Sequence, residues 1–154
     1  MKKHNSQGMV DISRKRVTKR MAVASAQVHM STRAFRKFMS EGSPKGDAFE
    51  TARCAGLLAA KTTPHVFPHC HPLELNKVKI IFEIKEKASM ITMTAEVHAR
   101  ARTGVEMEAL HAVSVAALAF YDMMKWSDKG MTITDVMLLE KKGGKGGTFR
   151  RKRG

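Results

Sequence analysis

No stretch of this 154-residue chain approaches the roughly 18 consecutive apolar residues of a membrane-spanning helix, so no membrane partner is expected. Proline is scarce, at 4 residues, and a hydrophobic share of 43% is too high for a chain that stays unfolded. Two cysteines, Cys54 and Cys70, are too few for a disulfide scaffold at this length, so both are read as reduced thiols. No sequence period of about 20–50 residues recurs, which excludes solenoids and propellers. No apolar run follows the basic residues of MKKHNSQGMVD, so the expectation is a cytoplasmic protein and not a secreted one.

Acidic charge is absent from one end and nearly absent from the other. Residues 141–154 carry seven Lys/Arg and no Asp or Glu, and residues 1–20 carry seven Lys/Arg against Asp11 alone. The total is +14, yet the 120 residues between hold 14 basic and 13 acidic side chains. The length suits one domain over 1–154, expected as a basic N-terminal segment 1–19, an α+β core 20–140 and a Gly/Lys/Arg-rich tail 141–154. Cationic tails are compatible with a basic RNA- or ribosome-associated binding protein. Against nucleic acid stand the balanced core and the aromatic supply: one Trp, one Tyr and seven Phe, most on apolar faces and unsuited to base stacking.

Periodicity orders the elements. Ala22, Ala24, Ala26, Val28 and Met30 alternate as a strand. Ser31 is placed to cap a short helix carrying Ala34, Phe35 and Phe38. After the turn-rich EGSPKG, Asp47 and Glu50 form a capping-box pattern, and the helix they open is expected to run to about Lys61, short of Pro64. Val78–Ile84 and Ile91–Ala101 alternate on either side of KEKAS, an antiparallel hairpin. Thr103 and Glu106 suggest a second capping box ahead of a long helix to about Trp126, apolar around most of its girth and so buried on more than one side. Met131–Leu139 reads as the last strand. Setting aside the extra short helix, the order is β-α-β-β-α-β: a ferredoxin-like α+β fold with helices on one face of an antiparallel sheet. An exposed sheet edge and the Ala-rich helix point to self-association.

Four segments concentrate polar residues. Lys45-Gly46-Asp47 precedes a capped helix, and is either an ordinary loop or an anion site at a helix N-terminus. PHVFPHCHPL sets His65, His69, Cys70 and His71 too close together for a four-ligand zinc site, and sequence neighbours seldom make a Cys–His nucleophile pair. A rigid ligand-binding turn is the better reading, with no metal. In the long helix Glu108, Ala112, Val115, Ala119 and Asp122 fall within about 40° of one line at 100° per residue, and Asp122 neighbours Lys125 at i,i+3. That pair is either a structural ion pair or a functional one. Finally, EKKGGKGG lacks both the spacing of a phosphate-binding P-loop and its following helix, and reads as a flexible basic tail.

Taken together, MVDIS (9–13), KGDAFETAR (45–53), CHPL (70–73), TGVEMEAL (103–110), YDMMK (121–125) and LLEKKGGKGG (138–147) resemble the cyclic pyranopterin monophosphate synthases, the molybdenum cofactor biosynthesis protein C family. The resemblance implies a ferredoxin-like lyase acting on a cyclised nucleotide triphosphate. The product is cyclic pyranopterin monophosphate, with pyrophosphate released. It also implies a homohexamer, a trimer of dimers, with active sites at subunit contacts, and no cofactor. By the same analogy Asp122, Lys125 and Lys45 are the catalytic residues. Substrate binding falls to His69, Cys70, His71, Glu106, Met107, Glu108, Arg20 and Lys141. Crowded lysines have depressed pKa values, so Lys45 and Lys125 are expected to move protons, with Asp122 orienting Lys125, while Arg20, His71 and Lys141 hold phosphates. Two positions depart from the family pattern: His69 stands where Leu or Met is usual, and Lys142 where Ser is usual. Both would add polar or cationic character near the phosphates.

Overall fold

A computed structural model describes residues 8–152; Lys2, Lys3 and Arg153 of the basic ends lie outside the described residues. In chain order the elements are β1 (Thr18–His29), α1 (Thr32–Glu41), α2 (Ala48–Val66), β2 (Leu75–Lys85), β3 (Met90–Ala101), α3 (Glu106–Met124), β4 (Thr132–Lys142) and β5 (Phe149–Arg150). The strands form one antiparallel sheet in the order β2-β3-β1-β4-β5. The first four match the ferredoxin-like order, and β5 adds an edge.

The alternation in β1 works as expected: Ala22, Ala24, Ala26 and Val28 are fully buried beneath α3. Small side chains there, with Ala95 and Ala99 on β3 and Ala109, Ala112 and Ala116 on α3, allow the helix to lie close to the sheet. Thus α3 packs against the central strands on one side and α2 on the other, which is why it is apolar nearly all round. That covering comes from within the chain, so the Ala-rich helix itself gives no reason for self-association. Large side chains fill the end near α1: Phe120 is fully buried, with Phe38 and Phe49 at ring-centroid distances of 5.3 and 5.7 Å. Those phenylalanines are core and not stacking surface.

Ser31 and Asp47 cap their helices, accepting from the backbone N–H of Ala34 and Glu50. Two boundaries differ from expectation. Helix α2 continues through Pro64 to Val66, with the Thr63 hydroxyl in reach of the carbonyl that the proline leaves without a donor. The Thr63 hydroxyl lies 3.2 Å from the Ala60 carbonyl, the acceptor that a Pro64 N–H would have used. The helix then closes on the bond from the Phe67 N–H to the Thr63 carbonyl. At α3 the N-cap is Val105, with no side-chain cap, and not Thr103. The Glu106 carboxylate instead folds back over Gly104, in space that any Cβ at 104 would occupy.

The Gly/Lys stretch also departs from a loose tail. Strand β4 runs on to Lys142, and β5 returns beside it, pairing Phe149 with Lys141 and Arg150 with Glu140. The turn between them holds Gly143 and Gly144 at φ 98° and 78°, and Gly144 lies against the Arg20 guanidinium so closely that a side chain there would collide.

Candidate active site

Most of the candidate side chains collect at the two ends of α3. At its C-terminus, the last-turn carbonyls need outside donors. The loop between α1 and α2 provides them. Ser43 Oγ donates to the Met123 carbonyl at 2.7 Å, and Lys45 Nζ donates to the Asp122 carbonyl at 2.9 Å. A cation at this end also complements the helix dipole. Pinned in this way, Lys45 reaches the Asp122 carboxylate, Nζ to Oδ2 at 3.2 Å, while Lys125 takes the other oxygen, Nζ to Oδ1 at 2.7 Å.

This Lys45–Asp122–Lys125 triad is open, with side-chain exposures of 41%, 55% and 49%. The hydrogen bond from Lys125, then that from Lys45, holds the Asp122 carboxyl below its ordinary range. Reciprocally, Asp122 raises the Lys125 ammonium pKa, by hydrogen bond first and charge second. The lowering expected of crowded lysines is therefore reversed at Lys125: the carboxylate bonded to it outweighs any repulsion from Lys45. Sequence spacing showed the Asp122–Lys125 pair but not Lys45's place in it, since that depends on Ser43 docking the loop.

At the N-terminal end of α3, Cys70, His71, Leu73, Thr103, Gly104, Glu106, Met107 and Glu108 line a pocket of about 220 Å³. The turn closed by the bond from the Cys70 N–H to the Phe67 carbonyl brings the CHPL segment against the start of α3. Glu108 is only 4% exposed, and burial pushes its carboxyl above the ordinary value of 4.5. Burial likewise raises the Cys70 thiol, with a smaller contribution from Glu108, so Cys70 is a poor thiolate. Leu73, Thr103 and Gly104 also belong to its wall; they lie within the CHPL and TGVEMEAL segments but were given no substrate role.

Several expected residues stand apart. His69 is exposed and is not in the pocket lining. Arg20 and Lys141 flank an adjoining basic cavity: Arg20 lines it, and Lys141 Nζ lies against Gly146 in its wall. Lys142 does not join them. Strand alternation turns it to the opposite face, where it pairs with Glu140 at 3.1 Å beside Arg150. The described residues contain no group of three or more His, Cys, Asp or Glu arranged to hold a metal ion, and no helix long and apolar enough to cross a membrane.

Four of the six motif segments thus fold into a lysine–carboxylate triad and an acidic–thiol pocket at opposite ends of one helix, and a fifth, LLEKKGGKGG, contributes to the basic cavity beside that pocket. Residues 9–144 match the MoaC family model. The chain belongs to the MoaC family. It is 47% identical to the cyclic pyranopterin monophosphate synthase of Pelobacter propionicus, covering 95% of this chain and 91% of that one. It is 48% identical to the enzyme of that name from Bacillus subtilis, covering 96% and 89%, and 50% identical to that of Streptomyces griseus, covering 93% and 80%.

Proposed function

We propose that this MoaC-family protein is a cyclic pyranopterin monophosphate synthase, a cytoplasmic lyase converting a 3′,8-cyclised dihydroguanosine triphosphate to cyclic pyranopterin monophosphate and pyrophosphate. The observation that carries the reading is the Asp122 carboxylate bonded to both Lys45 and Lys125, formed by the two motifs KGD and YDMMK. The similarity to synthases along nearly the whole chain supports it.

The reaction needs two kinds of help. Opening the guanine imidazole ring and rebuilding it as a pterin moves protons, and closing the cyclic phosphate transfers the α-phosphorus to a substrate hydroxyl as the α–β bridge breaks. That hydroxyl gives up a proton and pyrophosphate leaves, so atoms balance without added water. Lys125 and Lys45 are proton-transfer groups, and Asp122 sets their geometry and protonation. Glu108, kept toward its neutral form by burial, is suited to donate a hydrogen bond or a proton to the base. Arg20 and Lys141 counter phosphate charge.

Glu108 and Asp122 are too far apart on α3 to serve one substrate from a single chain. The working site is therefore shared, the triad of one protomer meeting the pocket of another, in keeping with a hexamer built from dimers. Incubating purified protein with the cyclised triphosphate and assaying pyrophosphate tests the activity. Lys45→Ala and Asp122→Ala should keep the fold and abolish release; near-normal turnover in both overturns the assignment.

A further inference from the structure

Between the end of α2 and the Glu108 pocket the chain has to turn within a few residues. Pro68 helps to set where: it disfavours helical backbone at Phe67, which sits extended at φ −108° and ψ 101°. The Phe67 N–H still closes the last turn of α2 by donating to the Thr63 carbonyl at 2.9 Å. Its own carbonyl already accepts the Cys70 N–H at 2.9 Å. Phe67 is thus the joint between helix and binding turn, so a contact that holds its ring bears on where Cys70 and His71 lie.

That contact is with His111. The two rings meet edge to face, with centroids 5.1 Å apart and planes at 87°, inside the favourable range of about 4.5–7 Å for aromatic pairs. His111 is fixed in turn: its Nδ1 lies 3.2 Å from the Thr63 hydroxyl, which is fully buried and in reach of the Ala59 and Ala60 carbonyls. With the hydroxyl hydrogen on a carbonyl, Nδ1 carries the ring hydrogen and donates to Thr63 Oγ1. Burial lowers the His111 pKa, in keeping with a neutral ring. On α3, His111 follows Met107 by four residues and Glu108 by three, so it lies on the side of the helix that carries the pocket wall. Neither Phe67 nor His111 lines the pocket itself.

We infer that Phe67 and His111 form a clasp that positions the Cys70–His71 turn against the start of α3. Both are positioning residues: they act through the turn and do not touch the molecule in the pocket. The placing of the turn is independent of what binds there. The effect on catalysis rests on the proposed synthase reading, in which this pocket receives the base of the substrate.

Cys70 reports the state of the turn. In full-length protein carrying Cys54→Ser, which removes the other, exposed thiol, the reaction of Cys70 with an aromatic disulfide reagent is followed by the coloured thiolate released. Burial raises the Cys70 thiol pKa, so a loosened turn makes this thiol both more accessible and more ionised. Phe67→Leu keeps apolar bulk without the ring, and His111→Asn keeps a donor for Thr63 without the ring. Each should raise the Cys70 rate roughly fivefold, the order of one aromatic contact, and the double variant should go no further than either single one. With the cyclised triphosphate, the same variants should raise KM by a similar factor and leave kcat within about twofold, a split that general loss of folded protein does not give. Circular dichroism confirms that each variant is folded. Unchanged Cys70 rates in both single variants overturn the clasp, as do rates that multiply in the double variant. If turnover is normal while the rates stay flat, the clasp falls and the synthase stands. If the rates rise as stated but the Cys54→Ser protein does not convert the cyclised nucleotide, the clasp stands and the synthase reading falls.

Discussion

Glu108 and Asp122 project from nearly the same line of α3, yet they stand about 21 Å apart along its axis at 1.5 Å per residue. Fourteen helical residues separate an acidic pocket from a lysine–carboxylate triad, and a nucleotide cannot span both from inside one chain. On the proposed reading, a second copy brings its triad to this pocket. A complementation experiment follows. Lys45→Ala and His71→Ala, each inactive alone, should regain activity when co-expressed or unfolded and refolded together, since mixed oligomers contain some sites built from two unmutated halves. A statistical mixture restores roughly a quarter of the sites in a dimer-based assembly if each site draws one half from each of two chains. No recovery above the single variants, with mixed oligomers shown to form, would falsify the shared site.

The Asp122–Lys125 bond predicts a pH effect with a definite sign. Asp122 raises the Lys125 pKa, chiefly through their hydrogen bond, so the ammonium keeps its proton to higher pH than an isolated lysine would. Asp122→Asn removes the charge and weakens the bond, and the Lys125 pKa falls. If Lys125 transfers a proton, the basic limb of the pH profile for kcat/KM should move to lower pH in Asp122→Asn, together with a loss in kcat on the order of 10²-fold or more. Exposure of the triad means that thermal stability should hardly change. A shifted melting temperature with an unshifted pH profile would make Asp122 a structural residue instead.

Much of this architecture was readable from short-range pattern. The Ala22-to-Val28 alternation, the Ile84–Ile91 pairing of the hairpin and the Ser31 and Asp47 caps all depend on neighbours within a few residues. What escaped is one local exception and several partners distant in sequence. Pro64 ends a helix by local rules, and the same-turn hydroxyl of Thr63 overrides them. Lys45 had no visible partner until Ser43 fixed its loop onto Met123, 80 residues on. Arg14, Arg16 and Arg102 line a common cavity assembled from three separated segments, which no local pattern shows. Six motifs in register named the candidate residues; that most of them divide between the two ends of one helix was not legible, because a motif gives identity without direction.

Burial of Glu108 carries a cost that depends on pH. Its folded-state pKa lies above the ordinary 4.5, chiefly through desolvation, so the folded protein holds this proton more tightly than the unfolded chain does. Stability from this group is therefore full below the unfolded value and declines as pH rises through the raised folded value, where a buried carboxylate must lose its proton. Glu108→Gln is neutral at every pH and should be relatively more stable than wild type toward neutral pH, with the advantage vanishing under acid. Urea midpoints measured across that range check the sign; a Gln variant that gains stability under acid instead would show that a partner, not burial, governs the carboxyl.

Thr63 offers a test of the fold apart from the chemistry. Its fully buried hydroxyl lies within hydrogen-bond reach of the Ala59 and Ala60 carbonyls and 3.2 Å from His111 Nδ1, joining the end of α2 to the start of α3. Thr63→Val keeps the shape and removes the donor, leaving the Ala60 carbonyl beside Pro64 unpaired at a cost of about 1–3 kcal/mol. Thr63→Ser should retain most of that stability, since it keeps the hydroxyl and loses one methyl group. His111 adds a second signature: burial lowers its pKa, so it folds neutral, and stability should fall as pH drops through the ordinary histidine value of 6.5. Denaturant midpoints for Val and Ser variants separate the hydrogen bond from the methyl contact. Equal losses would mean that packing, and not the hydroxyl, carries α2 through its proline.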